Sequence, residues 1–187
     1  LKTAAIMPYG ADRLPNGTLC GPETEERLDW TIMFIVAHPT THFTIFLGAG
    51  LNPKEKGSDV PFKNDMKDYL EDCFNKMNNL PEEKRKPFIM PDIVLAEEDA
   101  WGTVAETLAV MKELQKRGIS ECYVVSSRYH IPRIMVIWNH IGSFKVIGHV
   151  AIKDSKAKPK MVLFEPAKFL ATLFLPKKYI PTTLFLA

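Results

Sequence analysis

The stretch VVSSRYHIPR, Val124–Arg133, carries two serines, two arginines, a tyrosine and a histidine in its last eight positions. Those are the side chains that grip and process an anion. An imidazole titrates near neutral pH and suits acid–base work. A guanidinium offers a planar fork to phosphate or carboxylate, and serine hydroxyls can donate to the same oxygens. His130 is the candidate general acid or base, with Arg133 and Arg128 as anion holders, Ser126 and Ser127 as donors, and Glu97 orienting a partner or a hydroxyl. Each also has a plain structural reading. A lone histidine more often caps a helix or sits in a core, and Arg133 can pair with Glu97 or Glu98 and tie two loops together.

Position strengthens the functional reading. Val124 and Val125 read as the end of a buried strand, and Pro132 suits the first turn of a helix. A helix starting near Ile131 turns free N–H groups and the positive end of its dipole toward whatever lies at the strand's end. Other polar clusters stand at matching places. Tyr9, Gly10 and Asp12 follow the first apolar run, Gly48, Ala49 and Gly50 the second, and Glu97, Glu98 and Asp99 the third. Gly48–Gly50, Glu97, Ser126, His130 and Arg133 are therefore expected to line one pocket.

The elements that must position these residues follow from periodicity. Strands are predicted at Ala4–Met7, His42–Leu47, Asp92–Ala96, Glu121–Ser126 and Phe144–Ile152. Between them, helical spacing runs from Glu23 to about His38 and from Phe62 to Met77, the latter with Met66, Tyr69, Leu70, Cys73 and Met77 inward. A third helix runs from Thr103 to Arg117, with Val104, Leu108 and Met111 on one face and Gly118 as its stop. The fourth, Ile131–Gly142, is apolar nearly all round and should be well buried. Strict strand–helix alternation predicts an α/β protein: a Rossmann-like three-layer fold around a mostly parallel sheet of about five strands. Residues 1–152 form that domain. Residues 153–187 add a charged linker and a terminal helix docked on the same core.

Composition sets limits. With 187 residues, a net charge of +2 and no basic run, nothing points to nucleic acid. Cys20, Cys73 and Cys122 lack any paired spacing, so a zinc site or disulfide framework is not expected, and Cys122 should be buried at a strand start. The histidines show no metal-ligand pattern. GxxxxGK[ST], GxGxxG and GxSxG are missing. Glu165, Pro166 and Lys168 interrupt the most apolar stretch, Met161–Pro176, so no membrane span is expected. No signal peptide is apparent, and free thiols suit the cytoplasm; the start at Leu1 leaves room for a removed N-terminal segment. Oligomeric state is not legible.

VVSSRYHIPRI resembles a motif of the YdcF/SanA/ElyC-like family of bacterial α/β proteins. There a strand ends in a Thr/Ser–Ser pair and is followed by an aromatic–His pair and an arginine, here Ser126, Ser127, Tyr129, His130 and Arg133. LAEEDAWGTVAET is similar to a second family segment through Glu97 and Thr103, with Ala100 where the family has serine and Glu106 where asparagine is common. FLGAG is similar to its Ser-Gly-Gly turn, with the serine replaced by Leu47 or Gly48, and EERL places Arg27 at its Arg-Leu. The resemblance spans roughly Ala4–Ile152. It implies a cleft at the strand ends holding a small anionic, nucleotide-like or phosphorylated ligand, with S-adenosylmethionine a cofactor candidate. The residue chemistry, the strand-end positions and the resemblance together give the site roles. His130, Glu97 and Arg133 would be catalytic. Tyr9, Gly10, Arg27, Gly48, Ala49, Gly50, Thr103, Glu106, Ser126, Ser127, Arg128 and Tyr129 would bind the ligand. Three readings stay open: a hydrolase or transferase on a phosphorylated substrate, a binding module using the same cleft, and an envelope-related scaffold without catalysis.

Overall fold

The computed structural model describes residues 2–11, 20–50, 60–100, 102–141, 144–153 and 159–173; Asp12 and most of the charged linker lie outside them. Strands β1 (Lys2–Pro8), β2 (Thr41–Ala49), β3 (Asp92–Ala100), β4 (Glu121–Ser127) and β5 (Lys145–Ile152) alternate with helices α1 (Pro22–Val36), α2 (Phe62–Asn78), α3 (Thr103–Lys116) and α4 (Ile131–Ile141). Helix α5 (Pro159–Leu173) follows, and a single 3-10 turn, Glu82–Lys84, precedes β3. The sheet order is β3-β2-β1-β4-β5, and all four pairings are parallel. The expected three-layer α/β fold is present.

Strand alternation builds two cores. On one face Ala5, Met7, Phe46 and Val124 meet Val110, Leu114, Ile134 and Trp138 of α3 and α4. Their neighbours Ile6, Ile45, Leu47 and Val125 point the other way, against Leu28, Ile35, Leu70 and Phe74 of α1 and α2. A sheet buried on both sides explains why its strands read as continuous apolar runs. The chain winds outward from β1 to β3, then crosses back to place β4 beside β1. That reversal is the switch point where such sheets leave a crevice at the strands' carboxyl ends.

Several details differ from expectation. Strand β3 continues through Glu97, Glu98 and Asp99 to Ala100, so the acidic run belongs to a strand and not to a loop. Each carboxylate has a lysine that allows this: Glu97 pairs with Lys116 at 2.7 Å, Glu98 with Lys112, and Asp99 with Lys63 at 2.8 Å. Lys63 is itself buried and also donates to the carbonyls of Ala96 and Glu98. In α2, Phe74 is fully buried, whereas Tyr69, Cys73 and Met77 are only partly so. The buried face of α3 centres on Val110, Met111 and Leu114, with Val104 and Leu108 at its margin. Its first turn instead buries Glu106 and Thr107, which apolar counting passes over. Gly118, at φ +65°, ends that helix as expected, and Cys122 is buried.

Helix α5 lies against α4 and supplies buried Glu165 and Thr172, while Leu163, Phe164 and Leu170 face outward. It docks, as expected, on the same domain, through a partly polar stripe. Among the described residues no helix is long and apolar enough to cross a membrane.

At Gly48 the backbone of α3 packs close against the sheet. A Cβ there would meet the Glu106 carbonyl oxygen at 2.7 Å and Val110 Cγ2 at 2.8 Å. A helix backbone cannot step aside cheaply, so Gly48→Ala should lower the unfolding free energy by about 1–3 kcal/mol, as overpacking does. A urea midpoint shift at unchanged slope is the measurement.

Candidate functional site

The switch point is closed from beneath by Arg27. Residues three and four apart on α1 turn Glu23 and Arg27 to one side, and both are buried. Arg27 Nη1 donates to the carbonyls of Tyr9 and Gly10, each at 3.0 Å. Its Nε reaches Ser127 Oγ at 3.1 Å, and Nη2 reaches Glu23 Oε1 at 2.7 Å and Ser127 Oγ at 2.9 Å. All five guanidinium N–H groups are thereby used inside the protein. Glu23 Oε1 accepts further hydrogen bonds from Ser127 Oγ at 2.5 Å and Tyr129 Oη at 2.8 Å. One ion pair thus ties α1 to the ends of β1 and β4 and to the turn after β4.

That turn delivers His130. Its backbone N–H bonds to the Ser127 carbonyl, and Arg128 N–H bonds to Ile152 of β5. On the side chain, Nε2 lies 2.9 Å from Arg133 Nη2 and 3.1 Å from Thr103 Oγ1, while Nδ1 lies 3.0 Å from Ser126 Oγ. A guanidinium can only donate, so Nε2 holds the lone pair and Nδ1 holds the proton, which it donates to Ser126. Burial holds the imidazole well below its usual pKa, helped by the positive charges of Arg27, Arg133 and Lys168. His130 is neutral at physiological pH.

Behind His130 a directed chain of hydrogen bonds fixes α3 and α4. Trp138 Nε1 donates to Tyr9 Oη at 2.9 Å, and Tyr9 to Thr107 Oγ1 at 2.6 Å. Thr107 donates to the Thr103 carbonyl at 2.6 Å. Tyr9 also meets His130 edge to face, and burial keeps its phenol un-ionised. One turn along α3, Glu106 Oε1 accepts the Gly10 N–H at 3.3 Å. Burial raises the Glu106 carboxyl to about 8, against the pull of that N–H and of Arg27. Helix α3 starts at Gly102, whose φ of +89° and ψ of 155° suit glycine alone, and no side chain caps it.

These groups surround a cavity of about 480 Å³, within the range of small-molecule sites. Of the sequence candidates, Gly10, Arg27, Ala49, Gly50, Thr103, Glu106, Tyr129, His130 and Arg133 line it. The others stand elsewhere. Tyr9 and Gly48 lie beneath the wall, as part of the hydrogen-bond chain and as the seat of Glu106. Ser126 and Ser127 are wholly buried and bonded to His130 and to the Arg27–Glu23 pair, so they support the site and have no hydroxyl to offer a ligand. Arg128 is exposed outside it. Glu97, expected in the pocket, is exposed on β3 and paired with Lys116, which also holds it below the usual carboxylate range. The structure gives it no part in the cavity. Arg133 does form an ion pair, but with Glu165 of α5 and not with Glu97 or Glu98.

Glu23, Glu165 and Lys168 were missed in the sequence. Glu23 had a signal, since it precedes Arg27 by one helical turn. Glu165 and Lys168 had one too, as the charges interrupting an apolar helix. No group of three or more metal-ligating side chains occurs among the described residues. No family model, curated protein or solved structure matches the chain at a significant level.

Two variants test this electrostatic design. Arg27→Met should cost about 3–5 kcal/mol of stability, because it strands the buried Glu23 carboxylate and two carbonyls; chemical denaturation reads the loss. For Glu106 the sign runs against the usual carboxylate. Its pKa rises on folding from 4.5 to about 8, so the folded state holds the proton more tightly. The favourable contribution is complete below pH 4.5 and is lost as pH climbs toward 8. Glu106→Gln does not titrate, so its stability relative to the parent should rise across that window, by up to about 1.4 kcal/mol per pH unit. Urea melts at a series of pH values check this.

Proposed function

We propose that the cleft binds a small anionic molecule, phosphorylated or nucleotide-like, as the likeness of Ser126–Arg133 to the YdcF/SanA/ElyC-like motif suggests. S-adenosylmethionine belongs to the same range of candidates. The observation that carries the reading is the charge of the cavity. Arg27 is balanced by Glu23, and His130 and Glu106 are neutral at pH 7. Arg133 and Lys168 then face Glu165 alone, leaving one net positive charge beside the starts of α3 and α4, whose N–H groups favour an anion. An anion entering there competes with Glu165 for the Arg133 fork.

Catalysis is the second reading. It rests on the unprotonated His130 Nε2 between Thr103 and Arg133, placed to take a proton from a bound hydroxyl or water. Its lowered basicity favours binding over turnover. The outward Leu163, Phe164 and Leu170 of α5 keep a scaffold role as the alternative from another class. The free thiols of Cys73 and Cys122 support a reducing compartment, the cytoplasm.

Calorimetry with inorganic pyrophosphate tests the anion site. The parent should bind it, and Arg133→Lys should bind about tenfold more weakly although the charge is kept, because an ammonium cannot reproduce the fork. Unchanged affinity in a folded Arg133→Lys protein makes Arg133 a strut between α4 and α5. Failure of the parent to bind either pyrophosphate or a nucleoside diphosphate removes the reading.

A further inference from the structure

The cavity has two unlike ends. Toward α4 and α5 stand the charges of Arg133, Glu165 and Lys168. Toward β2 and β3 the wall is Gly10, Ala49, Phe62 and Ala100, small or apolar, with one polar side chain among them, Glu106. Only one of the Glu106 carboxyl oxygens is occupied. Oε1 takes the Gly10 N–H, whereas Oε2 takes no hydrogen bond from the described residues; it is not among the buried oxygens left without a partner, and the residue as a whole is 5% exposed. The fold pays attention to this group: Gly48 has no side chain where a Cβ would strike Glu106 Cγ at 2.9 Å. A carboxyl fixed through one oxygen, on a residue that lines a cavity, is placed to meet a ligand with the other.

We infer that Glu106 sets the specificity of the cleft by donating a hydrogen bond from Oε2 to a ring nitrogen or carbonyl of a flat heterocycle, so that the ligand is a nucleoside diphosphate or a molecule of that chemistry. The proton lies on Oε2 because Oε1 accepts from Gly10 and because burial keeps the carboxyl neutral at pH 7. The heterocycle lies along the wall of Phe62, Ala49 and Ala100, and its anionic tail reaches Arg133 and Lys168. A buried donor meeting a ligand without an acceptor is left unpaired, which is how such a group discriminates. The inference rests on the anion reading above and adds the second point of recognition.

The test compares adenosine diphosphate and uridine diphosphate with inorganic pyrophosphate by calorimetry at pH 7. At least one nucleotide should bind the parent about tenfold or more tightly than pyrophosphate does, since a correctly placed polar contact is worth that much. In Glu106→Leu the ratio of nucleotide to pyrophosphate affinity should collapse at least about tenfold, and in Glu106→Gln, which still donates, it should stay within about threefold. Infrared difference spectra make the test independent of whether the leucine variant folds. The carbonyl band of the neutral carboxyl, identified by its loss in Glu106→Gln, should shift when the nucleotide binds and stay fixed with pyrophosphate. Pyrophosphate binding without a nucleotide advantage, or a nucleotide complex that leaves the band unmoved, overturns the inference and spares the anion site. Failure of all three probes to bind overturns both.

Discussion

A guanidinium without water must place five N–H groups on acceptors, and the neighbourhood of Arg27 is organised by that requirement. Three sources meet it: the side chain of Glu23 one turn back, the hydroxyl of Ser127, and the carbonyls of Tyr9 and Gly10. The three lie on α1, on the end of β4 and just past the end of β1, the segments that bound the crevice. Removing a charge of this kind from water costs several kcal/mol, and only complete pairing offsets it. The register of α1 against the sheet therefore cannot drift. The Tyr129 hydroxyl joins the same carboxylate, so the turn that carries His130 inherits the constraint.

A second feature follows from burial. Two titratable side chains of the cavity wall, His130 and Glu106, are both pushed toward their uncharged forms, while Arg133 and Lys168 stand at one end. Charge and hydrogen bonding are thereby divided between different parts of the wall. The cavity holds its net positive charge without a buried unpaired ion, and its neutral polar groups keep fixed roles: Nδ1 of His130 donates to Ser126, and Nε2 accepts from Arg133.

Much of this was legible in the sequence, and what was not has identifiable causes. Strand–helix alternation is enough to specify a parallel three-layer fold, because each strand must be covered on both faces. The cluster at Ser126–Arg133 is visible for the same reason, since a polar run at the end of an apolar one has few places to go. Chain direction alone does not say which side chains turn inward. Ser126 and Ser127 look like donors for a ligand, yet as the last residues of a buried strand they face the two core layers and bond to protein. Glu97 was misplaced because β3 carries four more residues, through Ala100, before it turns, held in the sheet by Lys63, Lys112 and Lys116 from the flanking helices. Those pairings join elements far apart in the chain. The contribution of α5 lay hidden too, because a helix rich in leucine and phenylalanine suggests an apolar contact, whereas its docked stripe carries Glu165 and Thr172.

The two ends of α5's role cannot be separated. Glu165 and Lys168 belong to the cavity wall, and the same helix shows Leu163, Phe164 and Leu170 to its surroundings. Whatever engages that outer surface more strongly when α5 is detached also withdraws a carboxylate and an ammonium from the cleft and releases the fork of Arg133. By thermodynamic reciprocity, a ligand that prefers the cleft with α5 in place then weakens that outside contact by the same factor. Cleft wall and outer surface are two faces of one helix, joined to α4 through the Arg133–Glu165 ion pair.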